Sequence, residues 1–113
     1  MSIDIDLIGT DGTSLYYANI TGNLAEMAEK AGLYSSIWAP WQTNAFTEAE
    51  AATYAKDIIE IVKKGLATLK EKPEYFKLFN PPNGWGTYDG FLRFVERYLE
   101  NLEKYPEATI SVL

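Results

Sequence analysis

The sequence predicts an α+β fold for residues 1–113: one compact, mainly helical domain with a small two-stranded sheet built from its first and last strands. Three observations predict it. Apolar and polar residues alternate at both ends of the chain, apolar residues recur at helical spacing through the middle, and a Pro/Gly corner at 80–90 separates the last helix from the rest.

Residues 2–7 set Ile3, Ile5 and Leu7 on one side and Asp4 and Asp6 on the other, the pattern of a strand with one buried and one wet face. Gly-Thr-Asp-Gly-Thr at 9–13 ends it with turn chemistry. Residues 15–20 leave two readings open, because Tyr16 and Tyr17 fit the opening of a helix or the lining of a loop. From Thr21 onward Leu24, Met27, Ala28 and Ala31 keep helical spacing, and Gly32 supplies the left-handed stop. Residues 33–41 read as a short helical turn and then an irregular aromatic connection, with Tyr34, Ile37, Trp38 and Trp41 around Pro40.

Thr47-Glu48-Ala49-Glu50 is a capping box and predicts the longest helix over 48–71. Its buried stripe is Ala51, Ala55, Ile58, Val62, Leu66 and Leu69. Glu48 and Glu50 at the start and Lys63, Lys64, Lys70 and Lys72 toward the end complement the macrodipole. Gly65 in the interior costs about 1 kcal/mol against alanine, so close packing against a neighbour is expected there. Pro73 restarts the chain as a short helix over 74–79 presenting Tyr75, Phe76 and Phe79.

Pro81-Pro82 fixes two successive φ angles and excludes a helix across the corner. Asn83-Gly84 is a turn pair, and Gly84 and Gly86 leave the backbone beside Trp85 bare. Thr87 is placed to cap the next helix, with Asp89 in its first turn. That helix, residues 88–104, turns Phe91, Leu92, Val95, Tyr98, Leu99 and Leu102 inward, and Arg93, Glu96, Arg97, Glu100 and Glu103 toward water. Residues 108–112 alternate again as the closing strand. Parallel and antiparallel pairing of the two end strands are both open, and Asp4 and Asp6 serve as edge protection in a two-stranded sheet. A homodimer joining two such edges into four strands is compatible with the pattern.

A net charge of −6 argues against binding a phosphate backbone, so no nucleic-acid partner is expected. The chain has no cysteine and no histidine, which removes disulfides, thiolate chemistry, the usual general base and the commonest transition-metal ligand. No basic-then-apolar leader and no apolar run of spanning length is present, so cytoplasmic residence and no membrane partner are expected. Asp4-x-Asp6, with Asp11 beyond, offers oxygen ligands to Mg²⁺ or Ca²⁺, but a solvated strand face explains it as well; no metal and no cofactor are expected. No carboxylate, serine or lysine sits in a catalytic motif, and the expectation is a protein that is not an enzyme.

What remains is aromatic. Trp38, Trp41 and Trp85 fall in irregular segments, and aromatic faces beside amide side chains stack on planar ligands or anchor protein partners. Asn19, Asn23, Trp38, Trp41, Asn83, Trp85 and Tyr88 are the candidate binding residues, against the plainer role of sealing the ends of a small core. Asn-Ile-Thr-x-Asn-Leu from Asn19, Ala-Gly-Leu-Tyr from Ala31 and Asn-Gly-Trp-Gly-x-Tyr from Asn83 also resemble a group of short, uncharacterised proteins encoded by bacterial and phage genomes. That resemblance implies an origin and no mechanism, and this chain has Gly22 where members often carry histidine. The function expected is a non-enzymatic binding module for a small ligand. The alternative is a protein-interaction module, an inhibitor or accessory subunit, using an acidic helical face or a strand edge.

Overall fold

Among the described residues three strands, rather than two, form the sheet. The computed structural model describes residues 2–40 and 53–113. Strand β1 (Ser2–Ile8) lies at the centre, antiparallel to β2 (Ser14–Thr21) on one side and to β3 (Thr109–Val112) on the other. The first and last strands do pair, with Ile5 opposite Val112 and Leu7 opposite Ile110, and antiparallel is the sense adopted.

The stretch left open as helix or loop is the third strand. Tyr16, Ala18 and Ile20 oppose Leu7, Ile5 and Ile3 and turn inward with them. Leu15 and Tyr17 on the outer side are as apolar as the inward residues, which masks the two-residue period. Residues 9–13 are therefore a hairpin connection, with Gly9 N donating to Thr13 O at 2.8 Å and Thr13 N to Asp11 Oδ1 at 3.0 Å. Central placement of β1 also removes the edge-protecting role of Asp4 and Asp6. Asp4 Oδ1 accepts from Tyr17 Oη at 2.6 Å, and Asp6 Oδ1 accepts from Ser14 Oγ at 2.7 Å, both across the strand pair.

A 3₁₀ turn (Gly22–Leu24) follows β2 and runs into α1 (Ala25–Lys30); α2 (Tyr34–Trp38) comes next. The long helix, α3 (Ala55–Glu71), begins later than the Thr47 capping box predicts. That box and the expected core position Ala51 lie outside the described residues. Tyr54 is extended (φ −91°, ψ 153°) and bridges Thr109, so the chain at 53–54 is not helical. Asp57 does the capping: its Oδ2 accepts from Tyr54 N at 3.0 Å. The first helical amides find carbonyls across the fold, Ala55 N to Ala108 O at 2.8 Å and Lys56 N to Pro106 O at 3.0 Å. With Ile110 N donating to Thr53 O at 2.9 Å, residues 53–55 close the outer edge of β3.

Helix α4 (Pro73–Lys77) and helix α5 (Tyr88–Lys104) follow and lead into β3. One cluster of buried residues joins the sheet to the helices: Ile5, Leu7 and Ile20 with Val62, Phe91 and Val95 among others. Helix α5 is tied in by two tyrosines. Tyr98 Oη donates to Ser36 O at 3.0 Å, and Tyr88 Oη donates to Leu69 O at 2.6 Å. The expected close packing at Gly65 is present. A methyl built there would lie 3.0 Å from Leu33 Cδ1 and nearer still to its Cγ and Cδ2, and Leu33 is fully buried. Among the described residues, no helix is long and apolar enough to cross a membrane.

Candidate binding site around Trp85

The corner at 80–87 is braced by its own side chains. Asn80 Oδ1 accepts from Tyr88 N at 2.8 Å, Asn83 Oδ1 accepts from Trp85 N at 2.9 Å, and Thr87 Oγ1 accepts from Gly90 N at 3.1 Å as the expected cap. Gly86 has φ +104°, and a Cβ there would meet Leu24 Cγ at 2.9 Å and Thr21 Cγ2 at 3.0 Å. Only a residue without a side chain lets the corner lie this close to the 3₁₀ turn. That approach sets Trp85 beside the end of β2.

The result is a groove of about 470 Å³ lined by Ser2, Asn19, Thr21, Asn23 and Trp85. The Trp85 indole is 71 % exposed, and among the described residues it stacks on no other ring. A second groove of about 440 Å³ shares Asn23 and continues between Glu26 and the corner residues Asn80, Pro82 and Asn83.

The two asparagines offer different chemistry. Asn19 Nδ2 is spent on Asp4 Oδ1 at 2.9 Å, Ile3 O at 3.1 Å and Ser2 Oγ at 3.3 Å, so its Oδ1 is what it presents as an acceptor. The Asn23 carboxamide has no hydrogen-bond partner among the described residues, only its backbone N donating to Thr21 Oγ1 at 3.3 Å. The Tyr17 hydroxyl and then Asn19 hold the Asp4 carboxyl below its ordinary range, so it stays charged beneath Asn19. Asp4 in turn pushes the Tyr17 hydroxyl up. Burial pushes up Tyr16, Tyr88 and most strongly Tyr98, so no shifted tyrosine is prepared as a phenolate nucleophile. Asp11 is held below its usual range by the Thr13 backbone, as befits its place in the hairpin turn.

Of the candidate residues, Asn19, Asn23 and Trp85 therefore share one groove, and Asn83 lines the adjoining one. Trp38 lines neither; it stacks on Tyr34 with ring centroids 5.6 Å apart and packs half-buried on the core. Tyr88 is 4 % exposed and belongs to the core, with its hydroxyl tied to Leu69. Trp41 lies outside the described residues. Sequence reasoning missed Ser2 and Thr21 in the first groove and Glu26 in the second. Recognising residues 15–20 as a strand opposite β1 would have put Thr21 across from Ser2. No family model matches the chain, and neither a curated protein nor a solved structure matches it.

Proposed function

We propose that this protein is a non-enzymatic binding module that stacks a small planar ligand on Trp85. The Asn19 carbonyl and the Asn23 carboxamide read the ligand's polar edge. One observation carries this reading: an indole 71 % exposed over a groove whose opposite wall holds amide groups not fully used by the protein itself. An exposed tryptophan leaves a large apolar face in water, and a ring laid on it recovers that area. The groove's volume lies in the range of small-molecule sites. Asp4 below Asn19 and Glu26 in the adjoining groove favour a neutral ligand, such as a nucleobase or another ring with donors at its edge, over a phosphorylated one.

The test is a thermal-shift and tryptophan-fluorescence screen of free nucleobases, nucleosides and monosaccharides. A ligand at a hundred times its Kd stabilises by about 2.7 kcal/mol, an ample shift for a chain of this size. The expected result is saturable binding that Trp85→Ala abolishes while the unfolding temperature without ligand stays near that of the wild type. Silence across the panel, or a saturable ligand indifferent to Trp85→Ala, refutes the proposal.

A second reading, a protein-interaction module, rests on the outer edge of β2. The acidic helical face supports it less, since Glu103 and Glu96 are paired with Lys63 and Lys70 at 3.7 and 3.5 Å.

A further inference from the structure

The two edges of the sheet are finished differently. Beyond β3 lie residues 53–55, whose backbone groups take up those of Ala108 and Ile110. Beyond β2, among the described residues, no backbone group is paired. Strand β2, Ser-Leu-Tyr-Tyr-Ala-Asn-Ile-Thr, contains no charge and no proline, and its only register shift lies at the hairpin end. These are the features that natural edge strands use to repel another strand, and here they are missing.

Beside that edge runs a groove of about 380 Å³. Residues 16–19 of β2 form one wall, and Gly90, Arg93, Phe94 and Arg97 of α5 form the other. Arg93 and Arg97 are the only arginines in a chain of net charge −6. Among the described residues every ion pair uses a lysine, and neither arginine takes part in one. Arg97 and Glu100 both act electrostatically on Tyr16, with opposite sign, so a carboxylate also faces that end of the groove.

We infer that the β2 edge takes up an extended peptide from another protein as a fourth strand, with two acidic side chains of that peptide held by Arg93 and Arg97. Spacing supports the match. Four helical residues advance about 6 Å. Two strand residues advance about 6.7 Å. Acidic residues at i and i+2 of the incoming strand thus fall beside successive arginines, on the inward side shared by Tyr16 and Ala18. Backbone hydrogen bonds supply the affinity, and the arginines select the sequence. Gly90, lacking a side chain, leaves room at the start of the groove.

The probe is a capped, fluorophore-labelled peptide, Thr-Val-Glu-Val-Glu-Val-Thr, measured by anisotropy, with hydrogen exchange of the Tyr17 and Asn19 amides, which face the open edge, as a second readout. Three controls accompany it: a peptide with lysine for both glutamates, one N-methylated along its pairing edge, and the Arg93→Glu/Arg97→Glu variant. The expected result is saturable binding, slowed exchange on β2, about tenfold weaker binding of the lysine peptide, no binding of the N-methyl peptide, and unchanged binding to Trp85→Ala. Charge reversal should weaken binding by about tenfold, as two exposed pairs turn from attraction to repulsion. If the charge-reversed protein loses its native unfolding temperature, Arg93→Gln/Arg97→Gln replaces it with the same direction expected. Equal binding of the lysine peptide, indifference to N-methylation, or no binding at all overturns the inference. So does slowed β2 exchange in a self-associated protein without peptide, which assigns the edge to a second copy.

Discussion

Replacing Gly65 by alanine sets two effects of known size against each other. Glycine in a helix interior is less favourable than alanine by about 1 kcal/mol, so on helix propensity alone the substitution stabilises. The structure opposes it. The new methyl would meet three carbons of Leu33, of which Cδ1 at 3.0 Å is the farthest, and the branch carbon Cγ is closer. Leu33 has no exposed surface, so its side chain has no solvent into which to swing. Overpacking a close-packed site costs about 1–3 kcal/mol, and contact with the branch carbon of an enclosed side chain argues for the upper end. The net expectation is destabilisation by about 2 kcal/mol, near 8 °C in unfolding temperature for a chain of this length. Equilibrium unfolding in urea measures it as a lower midpoint at unchanged slope. Leu33→Ala alone should cost about 2–5 kcal/mol through the cavity it leaves. Combined with Gly65→Ala it should cost at least about 1 kcal/mol less than the sum, because the methyl enters the vacated space. A Gly65→Ala variant more stable than the wild type, or strict additivity in the double variant, refutes the close-packing account.

Thr87→Ala removes the side chain that accepts from Gly90 N, and unfolding experiments should show a loss of about 1 kcal/mol. Ser36→Ala should be neutral or stabilising by up to about 1 kcal/mol in the same assay, because the fully buried Ser36 Oγ has no partner among the described residues. Tyr98→Phe orphans the Ser36 carbonyl and should cost about 1–3 kcal/mol. Burial raises the Tyr98 hydroxyl above its ordinary 10.0, so the stability it contributes is complete below that pH and is lost as pH rises above it. Urea midpoints measured from pH 9 upward should therefore fall more steeply in the wild type than in Tyr98→Phe.

Periodicity made the α+β character readable, and it failed where periodicity is blurred. The alternation of Ile3, Ile5 and Leu7 against Asp4 and Asp6 is unambiguous and marks β1. In β2 the outward Leu15 and Tyr17 are apolar, so the same alternation is invisible and the strand appears only once β1 is there to pair with it. The start of α3 has a different cause: Asp57 caps the helix, and the long-range bridge from Tyr54 to Thr109 holds residues 53–54 extended, a contact no local pattern announces. At the site, the turn chemistry of Asn83, Gly84 and Thr87 was legible because it is local. The meeting of Trp85 with Asn19 and Asn23 was not, since it depends on Gly86 lying against Thr21 and Leu24, more than sixty positions away in the chain. Tyr88 shows the converse, where the residue type suits a ligand and the packing assigns it to the protein's own interior, while Trp38 rests half-buried against the core and stacks on Tyr34.

Separating the central strand from one of its two neighbours by about a hundred positions governs how the molecule can assemble on the ribosome. The first hairpin can form by itself, but much of the apolar surface that covers its inner side comes from α3 and α5, and its second flank stays vacant until Thr109–Val112, about a hundred positions later, arrives. Such long-range closure slows folding and leaves a sticky intermediate in the meantime. A nascent chain stalled just short of Thr109 should therefore engage chaperones, whereas the released polypeptide should not.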